Sequence, residues 1–457
     1  MHYSYSPFKK RLNDIDHEDL LLLRDVSEGW YVDYKIKGLK VADFAKHLSA
    51  FANQYGGWLI IGIAESTNGT RTAGDFVGIE NSHVEKVCTD IREASSAHIN
   101  PEVFYDERIV RGPIKEIGLE AGKSIIIICV PTSFNTPHIH SSGRIYKRVA
   151  DQSKPKEETD RYQLDKLWLR NQEHKKKVSD LLTTIPELSS IQSSTPWLHV
   201  YLKKSDFQIP PSENLSFSSF RSIVQEQGDK LLRSFAPLES VSTTANGYIA
   251  RQVKGNAPMC NCLTLRWFHD GVVRLDIPLN SYGIEDFCIQ YKGNKNAVEF
   301  FKNLRENVDQ KYYEHIRIVD YSLLATTLNS LYGTCLYLFN EIDDVRNSFS
   351  CFTLRNTAHS FPFFDTESFI EKVNQDGLPL THENLISMPV NPTEESMDLI
   401  DIDYDSLDFS SCMDVTMAIT ELSVSTMTKV LFTVGAFIET DDFNKVSDFY
   451  ELKLSNK

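Results

Sequence analysis

The sequence predicts an α+β chain built from more than one domain, and three observations predict it. Its 457 residues exceed what one hydrophobic core usually supports, so two or three domains are expected. Apolar residues recur at helical spacing in some stretches and form short continuous or alternating runs in others, so helices and strands are mixed. Charge is divided unevenly: residues 1–177 hold 26 Lys/Arg and 25 Asp/Glu, and the remainder holds 22 and 38. The net charge of −15 therefore sits almost wholly in the C-terminal part, and the N-terminal part is free to keep a basic surface for a polyanion.

From the N-terminus, Asp14 to Arg24 is predicted helical, with Asp16 as its cap and Leu20 to Leu23 turned to the core. Trp30 to Ile36 reads as a strand, with Tyr31, Asp33 and Lys35 on one face and Val32, Tyr34 and Ile36 on the other. Val41, Phe44, Leu48, Phe51 and Tyr55 make one helical stripe. Gly56-Gly57 ends that helix, because glycine takes the left-handed cap without steric cost. Trp58 to Ile63 then follows as a strand covered on both faces. Asn68-Gly69 marks a turn, Val84 to Ile91 a helix and Glu102 to Val110 a strand. Ser124 to Val130 is a buried strand closed by Pro131. Gly143 to Val149 is a strand with alternating basic residues, and Asp160 to Leu182 a charged amphipathic helix.

The order Glu28-x4-Asp33-x-Lys35, helix, Ser49-Ala-Phe-Ala-Asn53-x-x-Gly-Gly57, strand, Gly62-Ile-x-Glu65 resembles the AlbA-type domain of the Schlafen proteins. The resemblance covers roughly residues 15 to 170. It implies an N-terminal Schlafen/AlbA-like mixed sheet with helices, followed by a separate α+β region. The expected domains are residues 1–190, a β-rich region 195–292 and an α+β region 293–457.

Carboxylates on a strand face suit hard cations, which polarise a phosphoryl oxygen and lower the pKa of bound water. A neighbouring lysine can offset charge on the phosphorane. In Schlafen ribonucleases the catalytic acids occupy positions matched here by Glu28, Asp33 and Glu65, and Lys35 stands beside them. Asp33 replaces the usual Glu and Glu65 the usual Asp, so charge is kept while reach changes. The resemblance implies catalytic Glu28, Asp33, Lys35 and Glu65, with Glu28, Asp33 and Glu65 holding Mg2+ or Mn2+. The same acids also have a bland reading as surface charges on a strand and a loop, since D-x-K is common. Lys37, Arg144, Lys147 and Arg148 are the candidate nucleic-acid contacts, with Tyr146 as a stacking ring; a solvated edge strand is the alternative for the last three.

Other motifs carry less. Gly118 to Ser124 imitates a phosphate-binding loop but is one residue short and leads into a strand, so it reads as a hairpin turn. His138-Ile-His140 and Cys260-Asn-Cys262 with Cys288 lack a second close-spaced ligand pair, so packing is favoured over zinc. Leu263 to Phe268 and Val272 to Ile277 flank His269-Asp-Gly271 as a hairpin. Ala297 to Leu304 and Tyr321 to Phe339 are predicted helical, Glu394 to Asp408 an acidic loop, and Thr416 to Ile438 a return to the core.

The resemblance thus points to a metal-dependent endoribonuclease acting on tRNA or structured RNA. By resemblance to the family it is an antiviral or antiphage effector, paired as a homodimer or higher oligomer, with a protein trigger at the acidic C-terminal half. The alternatives are a non-catalytic DNA- or RNA-binding regulatory module and a scaffold. Eight scattered cysteines, no apolar leader and no apolar run of membrane-spanning length favour the cytoplasm and no membrane partner.

Overall fold

The computed structural model describes residues 5–8, 10, 12–66, 69–149, 152–183, 194–204, 215–230, 237–253, 261–269, 271–341, 348–389, 398–400 and 412–436. The chain divides into two compact units: residues 1–178 with 207–212, and residues 179–206 with 213–457.

In the first unit, Asp16 caps α1 (His17–Leu22) through a reciprocal capping box with Asp19, as the sequence predicts. The centre of the unit is a strand–helix–strand crossover of β1 (Val32–Lys35), α2 (Val41–Asn53) and β2 (Gly57–Ile61), with β1 and β2 parallel. Phe44, Leu48 and Phe51 are fully buried, and such side chains each contribute about 1.5–3 kcal/mol. Gly56 stops the helix at φ +73°, with Val130 O at 2.6 Å from where a Cβ would stand. A short β3 (Ile79–Glu80) leads into α3 (Asn81–His98), followed by β4 (Ile99–Asn100) and β5 (Asp106–Arg111). The apolar run expected as a buried strand is β6 (Lys123–Val130), antiparallel to both β2 and β5. Because β6 alternates between two covered faces, Ile126 and Ile128 join the core under α2 and α3. Ile125 and Ile127 join a second core with Leu20, Leu23, Val32 and Tyr34. The sheet is closed off by β7 (Ile139–His140), which pairs β4, by the pair β8 (Tyr146–Val149) and β9 (Gln152–Glu157), and by α4 (Arg161–Thr183).

The second unit is built on an eight-stranded sheet. Its strands include β10 (Trp197–Lys204), β11 (Thr264–Phe268), β12 (Val272–Pro278) and β13 (Ser348–Arg355). Strands 264–268 and 272–278 form the expected hairpin, although Asp270 lies outside the described residues. This sheet takes strands from both sides of position 292, and one core serves them all, so the division expected there runs through a single unit. The helices expected near 297–304 and 321–339 are Lys295–Asn307 and Leu324–Glu341. Most of the acidic stretch 394–408 lies outside the described residues, but Asp398–Ile400 is a strand paired to Ser348–Ser350 rather than loop.

Candidate functional site

The side chains that gather around β1 do so because three segments cross at one point. Asp33 faces the underside of α2, in register with Leu59 of β2, and is fully buried. Arg148 reaches it from β8: Nη1 donates to Asp33 Oδ2 at 2.8 Å, while Nη2 and Nε donate to Gly29 O at 2.8 and 3.3 Å. The guanidinium lies over the Phe51 ring, 4.8 Å from its centroid, and no part of it reaches solvent. His47 Nδ1, from α2, is 2.8 Å from the same Asp33 oxygen without the alignment of a hydrogen bond. Lys35 Nζ donates to Asp33 Oδ1. Both oxygens of Asp33 are therefore engaged.

Glu28 stands next to this pair. Its Oε1 accepts from Tyr34 N–H at 2.6 Å, while its buried Oε2 meets no donor. Burial, then the charge of Asp33 and a hydrogen bond to it, push the Glu28 carboxyl up to about 7. The orphaned oxygen has a simple account: once protonated it donates to Asp33, which stays ionised. Burial works to raise Asp33 as well, but His47, Arg148 and Lys35 outweigh it and hold that carboxyl well below the ordinary range. His47 is lowered, with burial prevailing over the pull of Asp33. One carboxyl is thus fixed as an anion and its neighbour is poised to exchange a proton near neutrality. Glu28 is also one of the residues, with Tyr5 and residues 25–32, that line a cleft of about 310 Å³, although its Oε2 is itself buried.

Residues 28–157, which contain the whole of this constellation, match the family model described as Schlafen, AlbA_2. The N-terminal unit carries a Schlafen AlbA_2 domain. No curated protein matches the chain. Among solved structures, the DIP2311 protein of Corynebacterium diphtheriae aligns at 12% identity with a TM-score of 0.20. That alignment spans 88% of this chain and 60% of that one, and a likeness so weak carries no argument.

Within the AlbA_2 domain the expected site residues part company. Glu28, Asp33 and Lys35 are together. Glu65 differs from them in being exposed, on a bridge to Ala73 with Arg71 Nε 4.0 Å from its carboxylate. Among the described residues no three His, Cys, Asp or Glu side chains stand so as to hold a metal ion. A divalent cation needs several free oxygens, and this cluster offers Glu28 Oε2 alone while Lys35, Arg148 and His47 occupy Asp33. The arrangement as it stands does not fit Mg2+ or Mn2+.

Of the expected nucleic-acid contacts, Arg148 is a correction. It is wholly buried, because β8 alternates and Arg148 shares the inward face with Tyr146. Arg144 pairs with Glu157, Lys147 with Glu158 at 2.9 Å, and Lys37 is exposed. Gly118 and Gly122 close a turn that leads into β6, so the phosphate-loop likeness is a turn. His138 and His140 bind backbone and serine oxygens as packing residues. Cys260 lies outside the described residues.

Two residues gain roles that spacing did not suggest. His47 joins the cluster from the buried face of α2, four residues before Phe51 on that stripe. Asn53 donates to His138 O and Tyr146 O and accepts from His138 N–H at 2.7 Å, clamping the loop that leads into β8. Arg170 Nη1 on α4 then caps the free carbonyls of Asn53 and Gln54 at 3.2 Å.

Proposed function

We propose that the AlbA_2 domain cleaves RNA, with Glu28 as the group that moves the proton. The carrying observation is the unequal carboxyl pair: Asp33 is held ionised by Arg148 and Lys35, and Glu28 beside it titrates near 7 on the wall of a cleft. A general base or acid works best with a pKa near the working pH. Glu28 takes the proton of the attacking 2′-hydroxyl as that oxygen bonds to phosphorus and the P–O5′ bond breaks, then returns it to the departing 5′-oxygen, while Lys35, with its side chain 17% exposed, offsets negative charge on the phosphoryl group. Asp33 touches no substrate; it sets the proton affinity of Glu28 and the position of Lys35. The choice of RNA, and of tRNA or another structured RNA in particular, rests on the domain family, as does a role in defence against phage or virus.

A second reading keeps the divalent cation. Glu28 Oε2 lacks a donor when ionised, and Asp33 is adjacent, so Mg2+ or Mn2+ would require Lys35 to release Asp33. One experiment separates the two. Total RNA is incubated with wild-type protein and with Glu28→Gln, in EDTA and with Mg2+ or Mn2+. Cleavage that persists in EDTA, inflects near pH 7 and falls about 10²–10⁴-fold in Glu28→Gln supports proton transfer by Glu28. Cleavage abolished by EDTA supports the metal reading, and full activity of Glu28→Gln removes Glu28 from either. RNA that is shifted but never cut, in every condition, leaves a binding module.

A further inference from the structure

Beside the Glu28 cleft the first unit carries a run of aromatic rings that the carboxyl cluster does not use, with Tyr5 and Trp30 exposed, Tyr55 half-buried and Tyr31 packed against the core. Tyr5 and Tyr31 have ring centroids 5.2 Å apart, Tyr31 and Tyr55 6.0 Å, and Tyr55 and Trp30 6.2 Å. Trp30 is 39% and Tyr5 42% exposed. They are held in place: Trp58 Nε1 donates to Tyr5 O at 2.8 Å, and Gly29 N–H donates to Val32 O at 3.0 Å, closing the turn that bears Trp30 and Tyr31. Tyr5, Trp30 and Tyr31 wall the cleft of about 310 Å³. Tyr55 continues the run into a second hollow of about 130 Å³ that Lys147 and Lys166 also line.

We propose that this track is a binding site for the unpaired bases of a single-stranded nucleic acid, which stack on the rings while their phosphates lead toward Lys147 and Lys166. The inference rests on the reading of the domain as RNA-directed, and it names which form of the polymer the domain accepts. The charges assign the two ends. Asp25 and no Lys or Arg line the aromatic cleft beside Glu28, so it suits bases, which offer a flat π-face and amino donors, better than a run of phosphates. Of the two hollows only the second is lined by cations, Lys147, Lys166 and Arg170, with Lys147 paired to Glu158 at 2.9 Å. A cleft of this volume lies at the lower end of small-molecule sites, roughly 300–1,000 Å³. A base in a duplex presents no free face, so paired regions do not use the track.

The test uses the full chain and a short oligoadenylate made as DNA and as 2′-O-methyl RNA, neither of which supplies a 2′-hydroxyl for cleavage, alongside a blunt RNA hairpin. Binding is read by anisotropy and by tryptophan fluorescence. Trp30→Ala is expected to weaken single-strand binding about 5- to 100-fold, Trp30→Phe to retain it within a few-fold, and hairpin binding to stay unchanged. Stacking quenches wild-type fluorescence, and the quench disappears in Trp30→Phe although four other tryptophans remain of the five. Equal binding of the two backbones means base faces alone are read. A preference for the RNA form adds a sugar contact, and both uphold the site. Unchanged single-strand affinity in Trp30→Ala overturns the proposal, as does an equal loss on the hairpin. Protein that quenches and binds single strands but cuts no RNA keeps the track and discards the catalytic reading.

Discussion

At the scale of the residue, Glu28 and Asp33 are displaced in opposite directions, and each displacement is a stability term with its own pH window. In the unfolded chain Glu28 ionises near its ordinary 4.5, and in the fold near 7. Between those values the folded state keeps a proton that the unfolded state has released, so stability falls as pH rises through that window. Asp33 behaves the other way: its depressed pKa contributes stability above its ordinary 3.8 that is lost as pH drops. The Tm of wild type relative to Glu28→Gln, which cannot ionise, should therefore decline from pH 4.5 to 7; parallel profiles would show that Glu28 is not raised. Arg148 and Asp33 form a buried pair with no solvent access. Breaking such a pair from one side costs about 3–5 kcal/mol, because a charge is left uncompensated. Arg148→Met should lose that much in urea unfolding, and Asp33→Asn a similar amount. A loss near zero in either variant would mean that the ion pair does not hold β8 to β1. Asp33→Asn is for this reason a poor diagnostic of chemistry: inactivity in that variant must be read beside its unfolding curve.

At the scale of the element, much was legible because periodicity survives burial. The stripe from Val41 to Phe51, the glycine stop and the two apolar strands all fall where their spacing puts them. The alternation of Gly143 to Val149 was legible too, but its faces were not. Tyr146 two residues before Arg148 was the signal that Arg148 points inward, and a strand with basic residues on both faces reads equally well as solvated. Glu65 was placed by likeness to the family, and no local pattern says that its side chain stays exposed beside Arg71. Asn53 was legible only as a letter in a motif, since side-chain bonds to residues 85 and 93 positions away leave no local trace. Its structural role is testable. Asn53→Ala strands the buried His138 N–H and two carbonyls, at about 1–3 kcal/mol for each group left unpaired. Hydrogen exchange should then rise in residues 138–149 before the rest of the domain opens. Unchanged protection there would mean the clamp is dispensable.

At the scale of the whole molecule, the charge division meets the division into units. The first unit closes its own two cores around the sheet, and the second closes another. Residues 1–177 are nearly neutral overall, with 26 cations to place, while the rest of the chain carries 38 acids against 22 bases. A polyanion approaching the second unit works against a net −16, and one approaching the first does not. The second unit also spends its cations internally: Arg274 lies 3.0 Å from Asp276, which His199 also contacts at 2.7 Å, all within one buried row of the sheet. A fragment of residues 1–183 should therefore keep most of the affinity of the full chain for RNA. The logarithm of that affinity should fall along the same slope as salt is raised, because that slope counts phosphate contacts and these belong to the first unit. Titration of both proteins against one RNA at several salt concentrations checks this. A fragment of residues 194–457 that binds as tightly as the whole chain would place the RNA on the acidic unit and overturn the charge argument.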